Sequence, residues 1–200
     1  MNLKNKIISL LKKFLPKKIL TILIYIRDIP VNFKINYSKF ILKILITNIY
    51  DKNNNKLFTL RNFGGSTVSR GFHLFKSQPE VTKWIDSFDD NSKIIFWDIG
   101  ANIGLYSIYA ALKFKNIEVV SFEPSTSNLR VLSRNISINK LENKIKINQF
   151  PLTNKENKYL IMKEGEFVEG GALNSFGEDF NFEGGSFNAQ NNYQVYGTTI

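Results

Sequence analysis

The segment that most constrains how this chain can fold is WDIGANIG, residues 97–104. An apolar, strand-like segment precedes it and an apolar, helix-like segment follows it. A second apolar run, residues 119–122, ends at Glu123, 25 positions after Asp98. Strand, glycine turn, helix, strand and terminal carboxylate form the layout of a half-site for a nucleoside-containing cofactor. The run therefore predicts an α/β chain built around parallel strands.

The residue types in this turn favour one cofactor over the others. Gly100 lets the backbone approach a ligand closely and tolerates positive φ angles. The pattern D-x-G-x-x-x-G departs from the dinucleotide fingerprint G-x-G-x-x-G, with Asn102 where a phosphate-cradling glycine would stand. Asp98 would repel a pyrophosphate but suits the ammonium of a methionine moiety, and Glu123 can accept hydrogen bonds from both ribose hydroxyls. The run predicts S-adenosylmethionine (SAM) rather than NAD, with another nucleotide site or an ordinary tight turn as alternatives.

Several stretches of the chain resemble the FkbM family of SAM-dependent methyltransferases. They are QPEVTKWI (78–85), FWDIGANIGLYS (96–107), FEP (122–124) with Asn128, LSRNISIN (132–139) and, more weakly, GGALNSF (170–176). The resemblance implies a Rossmann-like class I methyltransferase fold, SAM as the cofactor, and O-methylation of a hydroxyl on a saccharide, glycolipid or similar small molecule. By the same resemblance, the residues that line the SAM pocket are Asp98, Gly100, Ala101, Asn102, Gly104, Glu123 and Asn128.

Two alternatives to this function stay open. The basic N-terminal segment prompts a nucleic-acid methyltransferase as the first alternative, but amino-directed base methylases usually carry an Asn/Asp-Pro-Pro-Tyr/Phe motif that holds the flipped base. This chain has no Pro-Pro pair, so we expect a small-molecule or glycan acceptor and no nucleic-acid partner. The second alternative is a fragment that binds SAM without catalysing transfer.

The resemblance also implies a continuation beyond the printed sequence. Enzymes of the FkbM type continue, after an element like residues 198–200 (TTI), into a segment with charged residues close to the transfer site. We therefore expect this chain to be a C-terminally truncated fragment, with residues 94–98 forming an exposed apolar edge and the isolated chain poorly soluble, dimeric or inactive. His73 is the single histidine and stands among apolar residues, which is more typical of a structural role. The sequence assigns no catalytic residue.

Composition excludes several kinds of site. The chain has no cysteine and one histidine, which excludes disulfides, thiolate zinc sites and histidine-clustered metal sites. A hydrophobic content of 43% with 14% aromatic residues is typical of a globular protein. Residues 1–50 hold ten Lys/Arg against one acidic residue, a net charge of +9, so the other 150 residues carry only +1 of the total of +10.

In our prediction, residues 1–76 form a basic α+β extension. Apolar residues recur at helical spacing in residues 3–15, with lysines on the opposite side, which predicts an amphipathic helix. Residues 1–26 are expected to dock on an anionic membrane surface, to pack on the domain or to contact nucleic acid. The localisation is expected to be cytoplasmic, and membrane-peripheral in the first case. Alternation at residues 31–38 predicts a half-exposed strand, and residues 44–61 predict a hairpin.

Residues 77–200 are predicted to be the N-terminal part of the methyltransferase domain. Ser77 and Glu80 have the spacing of a helical capping box. Residues 92–150 predict the first β-α-β-α-β half of the sheet, because apolar strand-like runs alternate with helical periods. Residues 151–200 are rich in glycine and phenylalanine and show no helical period. They predict β-hairpins that serve either as a lid on the substrate or as a structural insertion.

Overall fold

A computed structural model of the chain describes Pro16, Ile19 and residues 31–154, 158–180 and 183–199. The predicted amphipathic helix at residues 3–15, and with it the proposed docking of residues 1–26 on a membrane, lies outside the described residues. No helix within the described ranges is long and apolar enough to span a bilayer. The chain divides into two compact units, Met1–Ile44 and Leu45–Ile200.

In the first unit, helix α1 spans Val31–Ile44, so the strand predicted at residues 31–38 is wrong. Phe33 and Tyr37 also fit a helical period, being four residues apart, and their rings stack with centroids 6.4 Å apart. Both side chains are exposed. A helix satisfies its own backbone hydrogen bonds, whereas a strand needs a partner strand. The alternating pattern was compatible with both periods, and the helical one prevailed.

The second unit contains three sheets and four helices among its described residues. The elements are β1 (Ile46–Tyr50), β2 (Lys56–Arg61), α2 (Gly65–Ser77), α3 (Pro79–Asp86), β3 (Ile94–Ile99), α4 (Leu105–Lys113), β4 (Ile117–Phe122), α5 (Thr126–Ile138), β5 (Ile145–Asn148), β6 (Lys158–Glu164), β7 (Ser175–Phe176) and β8 (Asn191–Gly197). The sheets have the orders β1-β2, β3-β4-β5 and β7-β6-β8. The first and third sheets are antiparallel and the second is parallel.

The parallel sheet confirms the predicted β-α-β-α-β half and the α/β fold class. Strand β4 lies in the middle, with β3 and β5 at its two sides. Helix α5 begins after Ser125, whose side chain accepts a hydrogen bond from the N–H of Asn128, as expected of an N-cap. The apolar residues that the two helices bury are Ile108, Ala110 and Ala111 in α4 and Val131, Leu132 and Ile136 in α5.

On the other face of the parallel sheet, which we call the open face, the described residues leave the apolar side chains of β3 exposed. Ile95, Trp97 and Ile99 alternate along β3 with buried residues, and their exposed fractions are 61%, 46% and 60%. Since β3 is also the outer strand of the sheet order β3-β4-β5, the expected exposed apolar edge at residues 94–98 is present in the described chain. The solubility and association state of the chain stay predictions.

The predicted hairpin is confirmed, but it belongs to the second unit. Asn135 of α5 and Asn139, the C-cap residue of that helix, accept hydrogen bonds from the N–H groups of Arg61 and Thr59 in β2, at 2.7 and 3.0 Å. Gly71 lets α2 pack closely on the hairpin, since an added Cβ would lie 3.0 Å from a side-chain carbon of Leu60. The two compact units meet in the sequence at residues 44/45, and the domain boundary at residues 76/77 stays a prediction.

The helix predicted after residue 77 is present as α3, but the capping box is not. Helix α2 continues through Ser77, and Gln78 occupies the N-cap position of α3 without a side-chain cap hydrogen bond. Pro79 begins α3, and its fixed φ angle suits the first helical position. Ser77 is therefore the last residue of α2 and does not cap α3.

Candidate functional site

The glycine turn lies at the carboxyl end of β3, against the end of β4. The N–H groups of Gly100 and Ala101 both donate to the carbonyl oxygen of Phe122, at 2.9 Å each. Gly100 has a φ of +80° and nothing within 4 Å of an added Cβ, so open space adjoins the backbone there. Gly104 has a φ of +87°, but its added Cβ would lie 2.5 Å from a side-chain carbon of Leu132. Gly100 therefore leaves room for a ligand, whereas Gly104 lets α5 approach the turn.

Glu123, directly after β4, is held against this turn. Its Oε2 accepts a hydrogen bond from the N–H of Asn102 at 2.6 Å, and its Oε1 accepts one from the N–H of Ser125 at 2.9 Å. Burial raises the pKa of this carboxyl, and the two N–H donors oppose the rise. Each carboxylate oxygen can accept more than one hydrogen bond. Both oxygens of Glu123 therefore keep acceptor capacity for a ligand.

Asp98 is buried one residue before the end of β3. Its Oδ2 accepts hydrogen bonds from the N–H and the Oγ of Ser107 at 3.0 and 2.5 Å, at the start of α4. Burial raises its pKa, and the Ser107 bonds oppose the rise. Its Oδ1 accepts no hydrogen bond from any residue that the structure describes. Asp98 thus orders the start of α4 through Oδ2, and its Oδ1 is left to accept a hydrogen bond from a ligand.

A segment far along the chain lies over the turn. We call residues 168–172 the strap. The Nδ2 atoms of Asn102 and Asn128 donate to the carbonyl oxygen of Gly171 at 2.6 and 3.0 Å. The Oδ1 of Asn128 accepts from the N–H of Gly170 at 2.7 Å, and Glu169 forms an ion pair with Arg130 of α5. Sequence reasoning placed both asparagines in the site but missed the strap as their partner, for which the Gly-Gly pair at 170–171 was the available signal.

Helix α2 adds Arg70, which was not among the site residues predicted from the sequence. Its Nε donates to the carbonyl oxygen of Gly170 at 2.5 Å. Loss of hydration lowers the pKa of Arg70, while the negative charge of Glu123 opposes the shift. Its helical neighbour His73 bonds through Nδ1 to the carbonyl oxygen of Ser69 in the same helix, at 2.7 Å. A polar repeat at helical spacing along α2 was the signal that could have identified this face.

These elements enclose a cavity of about 360 Å³ at the carboxyl edge of the sheet. Of the predicted site residues, Gly100, Ala101 and Asn102 line it. The other four, Asp98, Gly104, Glu123 and Asn128, are buried around the turn. The remaining lining residues are Arg70, His73, Leu74, Ser77, Gln78, Ile103, Leu105, Tyr106 and Ala172. In the part of the chain that the structure describes, no cluster of three His, Cys, Asp or Glu side chains is arranged to hold a metal ion.

Comparison with known sequences gives one short match. No family model matches the chain. It is 45% identical over 42 residues to a protein of Sordaria araneosa described as "Methyltransferase sdnD". The match covers 21% of this chain and 16% of that protein, so the chain spans only a small part of its relative.

Comparison with solved structures gives distant likenesses. An O-MT region of StiE (residues 961–1257) has a TM-score of 0.36 at 17% identity, covering 41% of this chain and 30% of that one. The N-terminal domain of human METTL16 has a TM-score of 0.33 at 17% identity, covering 62% and 56%. TYW2 of P. horikoshii, in complex with MeSAdo, has a TM-score of 0.34 at 16% identity, covering 74% and 64%. Likenesses at this level carry no argument about activity.

Proposed function

We propose that this chain carries the cofactor site of a SAM-dependent O-methyltransferase of the FkbM type, with a saccharide, glycolipid or similar small molecule as acceptor. The observation that carries the proposal is the contact between the carboxyl ends of β3 and β4. The open turn at Gly100 lies beside Glu123, whose two oxygens are fixed by backbone N–H groups. The short match to a methyltransferase supports the reaction class.

The residues around the turn fit the chemical groups of SAM. Glu123 offers two oriented acceptors for the ribose hydroxyls, and the Oδ1 of Asp98 offers an acceptor for the ammonium group. The open space at Gly100 admits a ligand close to the backbone. Because these acceptors are fixed before a ligand arrives, little ordering is needed when it binds.

The chain's contribution to methyl transfer is positioning. When bound, SAM supplies an electrophilic methyl group, which the acceptor oxygen takes as the carbon–sulfur bond breaks and the hydroxyl proton is lost. Orientation alone can lower the barrier of such a displacement by several kcal/mol. The strap lies over the turn through Asn102 and Asn128, where it would limit the access of water. We assign no catalytic base.

The proposed activity is tested by following S-adenosylhomocysteine (SAH) release from SAM with a panel of saccharides and glycolipids. Acceptor-dependent SAH release that is lost in Glu123→Ala is the expected result. If SAH binds but no acceptor supports release, the chain is a non-catalytic SAM-binding fragment. Absence of SAH binding would reject the cofactor assignment itself.

A nucleic-acid methyltransferase is the second candidate, favoured by the net charge of +9 in residues 1–50. It is tested by filter binding with RNA at about 50 and 200 mM salt, since phosphate contacts weaken steeply over this range. Salt-sensitive binding together with RNA-dependent SAH release would favour this candidate. RNA binding without SAH release would show electrostatic attraction alone and would contradict this candidate function.

We also infer that residues 1–26 associate with anionic membrane surfaces in the cytoplasm. Each lysine near such a surface contributes about 1 kcal/mol. The chain should sediment with vesicles that contain phosphatidylserine and not with phosphatidylcholine alone. Replacing Lys12, Lys13, Lys17 and Lys18 by Gln should abolish the sedimentation. Equal sedimentation of this variant would contradict the inference.

A further inference from the structure

One polar face of α2 has no role in the function proposed above. Ser66, Ser69, Arg70, His73 and Ser77 follow one another at helical spacing along it. They line a second cavity of about 420 Å³ between α2 and the strap at Gly170. Arg70 and His73 also line the cavity at the glycine turn. The two cavities therefore adjoin along α2, and together we call them the groove.

Arg70 is held at one nitrogen only. Its Nε donates to the carbonyl oxygen of Gly170, which fixes the plane of the guanidinium. The two terminal nitrogens donate to no residue that the structure describes. The side chain is half-buried, and partial loss of hydration lowers its pKa. A fixed guanidinium with two unused terminal nitrogens presents the geometry that binds a carboxylate or phosphate through two parallel hydrogen bonds.

The charge around Arg70 is unbalanced. No carboxylate is among the described residues that line either cavity. Glu123 is the acid that interacts electrostatically with Arg70, but among the described residues no hydrogen bond or ion pair joins the two side chains. Arg130, by contrast, is paired with Glu169 of the strap. The groove thus contains a cation without a carboxylate partner, next to hydroxyl and imidazole groups.

We propose that this groove binds an anionic group, a carboxylate or a phosphate, belonging to a ligand of the methyl-transfer site. Arg70 supplies the paired donors, and Ser66, Ser69 and His73 supply further hydrogen bonds. The inference rests on the proposed function, because two ligands of that reaction can provide the anion. One is the amino-acid end of SAM, and the other is an acidic group on the acceptor.

The test is calorimetric titration of inorganic phosphate into the whole chain. Arg70→Gln removes the positive charge and the two terminal nitrogens of the guanidinium, and we expect it to weaken phosphate binding at least tenfold. Lys76→Gln is the matched control, because it removes one positive charge from the same helix outside both cavities. Its phosphate affinity should stay within about twofold of the unchanged chain.

Two nucleosides separate the sources of the anion. SAH carries the amino-acid end, and 5′-methylthioadenosine lacks it. If the groove holds that end, Arg70→Gln weakens SAH at least tenfold and leaves methylthioadenosine unchanged. If it holds an acidic group of the acceptor, both nucleosides keep their affinities and only phosphate binding falls. Unchanged affinities for phosphate and SAH in Arg70→Gln would overturn the proposal.

Two further results keep the test decisive. If Arg70→Gln does not fold, His73→Gln is measured instead, because it leaves the Arg70–Gly170 hydrogen bond in place. At least threefold weaker phosphate binding is then expected, and unchanged binding overturns the proposal. If neither nucleoside binds the unchanged chain while phosphate binds through Arg70, the proposed cofactor site fails and the anion groove stands.

Discussion

The two faces of the parallel sheet differ sharply, although the same three strands form both. On the covered face, Phe96, Val119 and Ile145 lie under α4 and α5 with exposed fractions of 5% or less. On the open face, Ile95 and Trp97 remain 61% and 46% exposed. The glycine turn and Glu123 lie at the carboxyl ends of β3 and β4, and the start of α4 lies on the covered face.

The contacts that fix the glycine turn come from the covered side of the sheet and from the strand ends. The turn is fixed by hydrogen bonds to Phe122 and Glu123. Gly104 makes the close contact with α5 through Leu132. None of these contacts involves the open face. Stability and site geometry should therefore depend on the covered face, while self-association should depend on the open one.

The largest effect is expected from a pair of isoleucine truncations. Ile145→Ala on the covered face should lower the free energy of unfolding by about 2–5 kcal/mol, because it leaves a cavity in the core. Ile95→Ala on the open face should change it by about 0.5 kcal/mol or less. Urea unfolding of both variants checks the difference. Equal losses would show that the open face is packed in solution.

The two glycines of the turn give the next largest effect. Gly100→Ala and Gly104→Ala both place a side chain at positive φ, which costs about 1–2 kcal/mol. Gly104→Ala should cost more, since its Cβ would overlap Leu132. Gly100→Ala should instead weaken SAH binding while remaining folded. Thermal unfolding measures the larger loss of stability expected in Gly104→Ala. SAH titration measures the weaker binding expected in Gly100→Ala.

A smaller effect concerns the pH dependence of stability. Burial raises the pKa of Asp98 above its usual value of 3.8. As pH rises through this range the unfolded chain releases the proton first, so ionisation of Asp98 lowers the free energy of unfolding until the folded pKa is passed. Asp98→Asn lacks this loss and should gain stability relative to the unchanged chain as pH rises from about 4. Parallel pH profiles in urea unfolding would contradict the assignment.

The smallest effect on stability is expected from polar substitutions on the open face. Ile95→Thr with Trp97→Thr should change the free energy of unfolding by roughly 0.5 kcal/mol or less for each site. The same change should reduce self-association, because a long apolar edge strand pairs with other chains. Sedimentation velocity at increasing concentration measures this. Undiminished association of the double variant would place the contact elsewhere.

The parallel half could be predicted from the sequence because each of its elements carries a local signal. Apolar runs marked β3 and β4, a helical period marked α4, and Ser125 marked the start of α5. The seven proposed cofactor residues lie together at one edge for the same reason, although their roles stay predictions. Helix α1 could not be predicted, because apolar residues at 31–38 fit two periods.

The Gly-Gly pair at residues 170–171 was a signal for the strap, but the hydrogen-bond partners of the strap could not be predicted, and the reason is physical. Asn102 and Arg70 bind carbonyl oxygens of Gly171 and Gly170, which are 69 and 100 positions away in the sequence. A carbonyl acceptor is present at every residue, so its position leaves no mark in the amino-acid sequence. The error at Ser77 has a different cause. Its spacing to Glu80 fits a capping box, but the preceding helix continues through Ser77.

Calorimetric titration of SAH tests whether Glu123 and the glycine turn form a SAM site. Losing carboxylate hydrogen bonds to ribose costs about 1.5–3 kcal/mol, roughly tenfold or more in Kd. We predict that the unchanged chain binds SAH and that Glu123→Ala binds at least tenfold more weakly. Glu118→Ala removes the acid of β4 that pairs with Lys146, and this variant should bind SAH as the unchanged chain does. Equal affinity in Glu123→Ala, or no binding by the unchanged chain, would contradict the account.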